Sequence, residues 1–173
     1  MKEVGVGILG FGTVGAGVAE GLLRNRRVMS ERLGVDVVLR KIADLDITTD
    51  RGVAVDPDVL TTDAQGVIAD PSVQIVVETI GGTGIAKTFV LAALNAGKAV
   101  VTANKKLLAE YGKEIFDAAA KNGVDIYFGA SVGGGIPIIR AVREGLAGNE
   151  IQQIHGILNG TCNYILTRME NEG

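Results

Sequence analysis

The hexapeptide Gly10-Phe11-Gly12-Thr13-Val14-Gly15 is the stretch whose residue types and spacing most directly imply chemistry. It follows an apolar run, Val4 to Leu9, and opens a helical pattern near Val14. A Gly-x-Gly-x-x-Gly turn between a strand and a helix suits the pyrophosphate of a dinucleotide. Gly10 allows the tight turn, Gly12 lets the backbone approach the phosphates, and Gly15 lets helix and strand pack closely. The unpaired N–H groups of the helix's first turn then face the anion, so the whole run from Gly10 to Gly15 is assigned to the cofactor. With 25 glycines in the chain the motif alone is weak, and the weight falls on its context between strand and helix.

A second strand, Val35 to Ala43, ends at Asp44-Leu45-Asp46. A carboxylate at this place accepts hydrogen bonds from the adenosine ribose and repels a 2′-phosphate. Asp44 is the candidate, with Asp46 as the fallback and a plain loop carboxylate as the alternative. Asp44 lies further from Gly15 than the usual distance of about 20 residues, and an extra segment from Arg26 to Gly34 accounts for that. No Arg or Lys falls between Asp44 and Thr49, so NAD is expected over NADP, with Arg51 as the nearest residue able to overturn that preference.

These residues need a frame. A helix is expected over Thr13 to Asn25, with Val14, Val18 and Leu22 on its apolar stripe and Arg24, Arg26 and Arg27 at or beyond its end. Asp50-Arg51-Gly52 and Asp56-Pro57-Asp58 read as turns, with a short strand in Val53 to Val55 or Val59 to Leu60. Thr62 or Asp63 caps a short helix through Ala69. Gln74 to Glu78 is a buried strand followed by Thr79-Ile80-Gly81-Gly82, a glycine loop where ligands bind in open parallel sheets. A helix over Ile85 to Ala96 stops at Gly97, and a strand over Ala99 to Thr102 leads to Ala103-Asn104-Lys105-Lys106. Gly112 to Lys121 is helical and Val124 to Phe128 is a strand. The β-α alternation predicts right-handed crossovers and an α/β, doubly wound, mostly parallel sheet. Pro137 suits the first turn of a helix running toward Gly145; Ile151 to Leu158 reads as a strand outside the alternation; Thr161 caps a helix from Cys162 to about Glu170.

Composition agrees. Apolar residues make up 47% of the 173 while aromatics are only 4%, which suits a Val, Ile, Leu and Ala core in a parallel sheet covered on both faces. The net charge of -3 comes with no basic stripe, which argues against nucleic acid or an anionic membrane surface as partner. One cysteine, Cys162, excludes an internal disulfide framework, and no signal peptide or membrane-length run is present, so a cytoplasmic location is expected. His155, the single histidine, has no Cys or His at ligand spacing and reads as a strand side chain.

Taken together, Gly10 to Gly15, Glu78-Thr79-Ile80-Gly81-Gly82, Thr102-Ala103-Asn104-Lys105, Ser131-Val132-Gly133-Gly134-Gly135-Ile136-Pro137 and Gly156-Ile157-Leu158-Asn159-Gly160-Thr161-Cys162-Asn163-Tyr164 closely resemble the amino-terminal half of homoserine dehydrogenase. The last three motifs, in this order, are the specific ones. The resemblance implies a dinucleotide-binding (Rossmann) domain over residues 1–135 and the beginning of a substrate and dimerisation domain over 136–173. It implies NAD(P)-dependent interconversion of L-homoserine and L-aspartate 4-semialdehyde, with Thr79, Gly81, Gly82 and Asn104 bordering the nicotinamide half and Gly160 and Thr161 at the substrate. Lys105 matches the lysine that family members place at substrate and nicotinamide, where a desolvated amine suits the role of proton acceptor; Lys106 is its solvated neighbour. A homodimer is implied for the longer protein.

Two departures accompany the resemblance. Gly129 stands where family members commonly carry a glutamate of a monovalent cation site, leaving only backbone carbonyls near Val132 and Gly134 to contribute, so no metal is assigned. The family's later substrate-holding residues are expected beyond Gly173, which makes the chain look truncated. The resulting expectation is a chain that binds dinucleotide with little or no turnover, because hydride transfer loses its positioning. A stand-alone dinucleotide-binding or sensing module is the alternative.

Overall fold

The computed structural model describes residues 1–157 and 159–173. Six parallel strands form one sheet: β1 (Lys2–Leu9), β2 (Val35–Ala43), β3 (Leu60–Thr61), β4 (Ile75–Glu78), β5 (Ala99–Thr102) and β6 (Ile126–Tyr127), in the order β3-β2-β1-β4-β5-β6. The doubly wound expectation holds, and every strand pair is parallel. The order reverses between β1 and β4, so the loops after these two strands open a crevice at the carboxyl edge of the sheet.

Alternation along the strands divides the core. Leu9, Ala43, Val76 and Val100 face α2 (Ala64–Ala69), α3 (Gly84–Asn95) and α4 (Lys105–Asn122), meeting Val67, Ile68, Val90, Leu94, Leu107 and Ile115. Val6, Ile8, Ile42 and Val77 point to the other face, where Ala16 and Ala19 of α1 (Thr13–Leu33) pack with Phe11. Residues one apart thus serve opposite faces, as the two-residue strand period requires. Each fully buried Ile, Leu or Val contributes about 1.5–3 kcal/mol.

Several boundaries differ from expectation. α1 runs to Leu33, not Asn25, so Arg24, Arg26 and Arg27 lie within it; Gly34 (φ 70°) ends it in the left-handed conformation. The extra segment after Asn25 is therefore two more helical turns, carried by an Arg27–Glu31 pair and by Arg26, whose Nε donates to Asp36 Oδ1 at 2.8 Å. Val18 and Leu22 of the expected stripe pack against the core beside the buried Gly15, Ala16 and Ala19, while Val14 is exposed. α4 begins at Lys105 rather than Gly112, because Asn104 Oδ1 accepts from the Leu107 N–H at 3.0 Å and caps it there. Of the two places expected for a short strand, Val59 to Leu60 is the one that overlaps β3 (Leu60–Thr61) and Val53 to Val55 is not a strand, while of Thr62 and Asp63 it is Asp63 that caps α2. β6 is confined to Ile126–Tyr127 within the expected Val124 to Phe128.

After β6 the chain leaves the sheet. α5 (Ile138–Arg140) continues into one wide helical turn over Ala141–Gly145, with Pro137 as cap rather than first-turn residue. Residues 151–157 form no strand, against expectation; Ile151, Ile154 and Ile157 are exposed, and no neighbouring strand offers them a ladder among the described residues. Leu158 lies outside the described residues. α6 (Gly160–Glu172) is capped by Asn159, whose Oδ1 accepts from the Cys162 N–H at 2.9 Å, displacing Thr161 from that role. No described helix is long and apolar enough to cross a membrane.

Candidate functional site

The turn between β1 and α1 is built by its glycines in three different ways. Gly10 has φ 100°, and a Cβ there would lie 2.8 Å from the Thr79 carbonyl carbon. A Cβ at Gly15 would lie 1.9 Å from the Gly10 oxygen. Gly12, in contrast, faces open space, with nothing within 4 Å of its Cβ position. Two glycines are therefore required by the protein's own packing, and the middle one keeps clear a space the protein does not fill. Gly12 is also the N-cap of α1, and no side chain caps the helix, so the 21-residue α1 opens that space with uncapped N–H groups.

Neighbouring elements hold the turn. The Gly10 N–H donates to Ala43 O at 2.8 Å, and Thr79 Oγ1 donates to Gly10 O at 2.8 Å. Phe11 buries its ring in the core beside α1, and its N–H donates to Asp44 Oδ2. Asp44 Oδ1 accepts from the Asp46 N–H at 2.9 Å. The expected ribose acceptor is thus also a clamp joining the end of β2 to the glycine turn, and it remains half-buried at the crevice.

Asp46 has a different task. Hydrogen bonds from the side chain and backbone of Thr49, then from Thr48, hold its carboxyl well below the usual carboxylate range. Its Oδ2 also lies 3.0 Å from Arg51 Nη2. Arg51 is consequently tied back by Asp46 at the crevice's β2 side.

A cleft of about 590 Å³ opens between these loops, lined by Gly10, Gly12, Asp44, Thr79 and, from residues not assigned to the site by sequence, Leu45, Thr62, Asp63, Ala64, Gln65, Ile80, Ile85 and Phe89. Leu45 is 93% exposed, an apolar side chain at the cleft's lip with nothing of the protein covering it. The missed residues come from α2, α3 and the loop tips. Their sequence signal, scattered polar, small and apolar residues, is indistinguishable from ordinary surface.

Next to this cleft the ends of β4 and β5 carry Gly81, Gly82, Asn104 and Lys105. Gly81 and Gly82 adopt φ 80° and 67°, a left-handed pair. Asn104 is buried and donates through Nδ2 to Gly82 O at 2.6 Å, joining the two loops. Lys105 occupies the first helical position of α4 with its side chain exposed, so the enclosure that would desolvate its amine does not come from the described residues. Glu78, fully buried, was not singled out as a site residue. A carboxyl closing an apolar strand just before a glycine loop was the available signal.

The carboxyl-terminal residues are not brought to this place. Gly160 and Thr161 stand exposed in the first turn of α6 and do not line the cleft. Val132 and Gly134 lie in a turn beyond β6, where Gly133 O accepts from the Ile136 N–H at 3.1 Å. Exposed His155 is not in a strand. No cluster of three or more His, Cys, Asp or Glu side chains with metal-binding geometry occurs among the described residues.

Sequence and structure comparisons agree with one another. The family profile described as "Homoserine dehydrogenase, NAD binding domain" matches residues 10–129, and that described as "Homoserine dehydrogenase" matches residues 137–173. The homoserine dehydrogenase of Neisseria gonorrhoeae is 49% identical over 100% of this chain, which spans 40% of that relative's length. A crystal structure of a homoserine dehydrogenase from Thiobacillus denitrificans superposes with a TM-score of 0.90 at 45% identity, covering 99% of this chain and 40% of that one. A hyperthermophilic archaeal homoserine dehydrogenase solved in complex with NADPH superposes at 0.79 with 28% identity, covering 99% of this chain and 57% of that one.

Proposed function

The chain belongs to the homoserine dehydrogenase family, and on that premise we propose that it supplies the cofactor half of an NAD(P)-dependent oxidoreductase interconverting L-homoserine and L-aspartate 4-semialdehyde. One observation carries the cofactor reading. Gly10 and Gly15 are filled in by the protein's own backbone, whereas the Cβ position of Gly12 opens on empty space at the uncapped start of α1. A pyrophosphate fits there, accepting N–H groups with no side chain in the way.

Each residue then has a task. Gly10 to Gly15 bind the pyrophosphate, with Phe11 as the buried anchor, Thr13 and Val14 as first-turn residues and Gly12 as the open approach. Asp44 accepts the ribose hydroxyls on the free lone pairs of its oxygens, and the carboxylate disfavours a 2′-phosphate, so NAD is preferred to NADP. Thr79, Gly81, Gly82 and Asn104 border the nicotinamide half. A nicotinamide held there would supply the acceptor for the hydride of the substrate's alcohol carbon. Lys105 takes the hydroxyl proton, and the carbonyl forms from the oxygen's lone pair. Residues 136–173 open a second unit, in which Gly160 and Thr161 reach the substrate. The exposed apolar face of α6, Tyr164, Ile165, Leu166 and Met169, suits that unit and a homodimer partner. The 173 residues on their own bind dinucleotide without appreciable turnover, because misplacement of the substrate removes orders of magnitude in rate.

Calorimetric titration of the 173-residue chain with NAD and NADP separately tests this. Tighter NAD binding is expected. Binding of neither overturns the cofactor reading, tighter NADP binding overturns the selector role of Asp44, and measurable homoserine oxidation overturns the statement on turnover.

A further inference from the structure

Among the described residues Glu78 is the one carboxyl with no exposure at all, at the carboxyl end of β4. Burying a carboxyl is costly unless its oxygens are hydrogen-bonded. Here Oε1 accepts from the Ile80 N–H at 2.9 Å and from the Gly81 N–H at 3.2 Å, and Oε2 accepts from Thr102 Oγ1 at 2.6 Å. The strand register makes the last contact possible, since Glu78 and Thr102 are paired across β4 and β5.

The hydrogen bonds continue beyond Thr102. Its hydroxyl donates to Glu78 and accepts from the Asn104 N–H at 3.0 Å. Asn104 then donates from Nδ2 to Gly82 O at 2.6 Å, while its Oδ1 caps α4 one residue ahead of Lys105. The circuit is closed: Glu78 to the Ile80-Gly81 backbone, Gly82 to Asn104, Asn104 to Thr102, and Thr102 to Glu78. It contains no charged partner, and of its members only Ile80 also lines the cleft at the glycine turn. Its two outputs are the left-handed Gly81-Gly82 pair and the first turn of α4.

We propose that Glu78, acting through Thr102 and Asn104, is a positioning residue that fixes the spacing of the β4 and β5 loops, and so where the nicotinamide ring lies relative to Lys105. A stable sheet does not need this device, because apolar residues at the same two paired positions would bury without hydrogen bonds. A buried, fully satisfied network specifies one arrangement of the loops it joins. The proposal rests on the cofactor reading and adds to it a residue that touches neither cofactor nor substrate.

The test separates the two halves of the dinucleotide. The 173-residue chain, Thr102→Val, Thr102→Ser and Glu78→Gln are titrated with NADH and, separately, with ADP-ribose, which lacks the nicotinamide. Thr102→Val keeps the shape and removes the hydroxyl. It is expected to weaken NADH binding about tenfold and leave ADP-ribose binding unchanged. Thr102→Ser restores the hydroxyl and the NADH affinity. Glu78→Gln keeps an acceptor for Ile80 and Gly81 but takes away the acceptor of the Thr102 proton, and falls between the two. Equal weakening of both ligands by Thr102→Val marks a general structural role and overturns the proposal, as does unchanged NADH binding. Failure of the unsubstituted chain to bind ADP-ribose is a different result, because it removes the cofactor reading itself.

Discussion

The Phe11 N–H donates to the carboxylate of Asp44, 33 residues away, so the side chain expected to hold the ribose also ties down the glycine turn. Removing this carboxylate has two separable effects. Asp44→Ala leaves the Phe11 N–H without its partner and is expected to cost about 1–3 kcal/mol in a denaturant titration. Asp44→Asn keeps an acceptor for Phe11 and costs less, yet loses the charge that repels a 2′-phosphate. Its NAD affinity should fall relative to NADP; an unchanged ratio would remove Asp44 as selector.

Gly12 and Gly15 differ in what surrounds them. Gly15→Ala drives a Cβ to 1.9 Å from the Gly10 oxygen and should destabilise the fold by about 2–3 kcal/mol, seen as a lowered Tm. Gly12→Ala meets nothing of the protein and should leave stability within about 0.5 kcal/mol while weakening dinucleotide binding about tenfold or more. Loss of stability in both variants, with binding kept, would show that the open space at Gly12 holds no ligand.

Arg51 is restrained by Asp46 across 3.0 Å, and a 2′-phosphate that recruits this guanidinium must compete with that pair. Asp46→Asn keeps the acceptor for Thr48 and Thr49 but weakens the ion pair. NADP affinity should rise a few-fold, in keeping with the ~1 kcal/mol of a partly exposed pair. A fall in NADP affinity would indicate that Asp46 serves the cofactor directly.

Asp36 is held down to about 2, from 3.8, chiefly by its hydrogen bond from Arg26 and also by Ser30, against the opposing effect of burial. A carboxyl depressed in the folded state contributes stability that is fully present above its unfolded pKa and lost as pH falls through its folded one. The junction of α1 and β2 should therefore weaken between about pH 4 and pH 2. Asp36→Asn should flatten the acid side of the stability curve over that window; an identical acid limb in both proteins would count against the linkage.

Much of the frame was legible because it is local. A buried strand, a glycine turn and a helix with a close-packing glycine are written in consecutive residues, as are the glycine stops at Gly97 and Gly123. α1 was read short because Arg26 to Arg32 is mostly charged, with Val28 and Met29 as its only apolar side chains. Its continuation depends on pairs such as Arg26 with Asp36, and on Gly34 as the stop. Residues 151–157 misled in the opposite sense, since an apolar run becomes a strand only beside another, and none accompanies it among the described residues.

The sequence by itself determined the order of strands and helices from β1 to β6, the family, and the identity of the glycine turn, because each rests on motifs whose spacing is local. Only the tertiary structure decided that Gly12 is the open glycine of the three, that Asp44 grips Phe11, and that Glu78 meets Thr102. Those relationships join residues up to 33 positions apart through the register of parallel strands. The hydrophobic alternation of each strand fixes which face its residues serve, but which residues of two strands far apart in the chain stand opposite one another emerges only when their buried faces pack together.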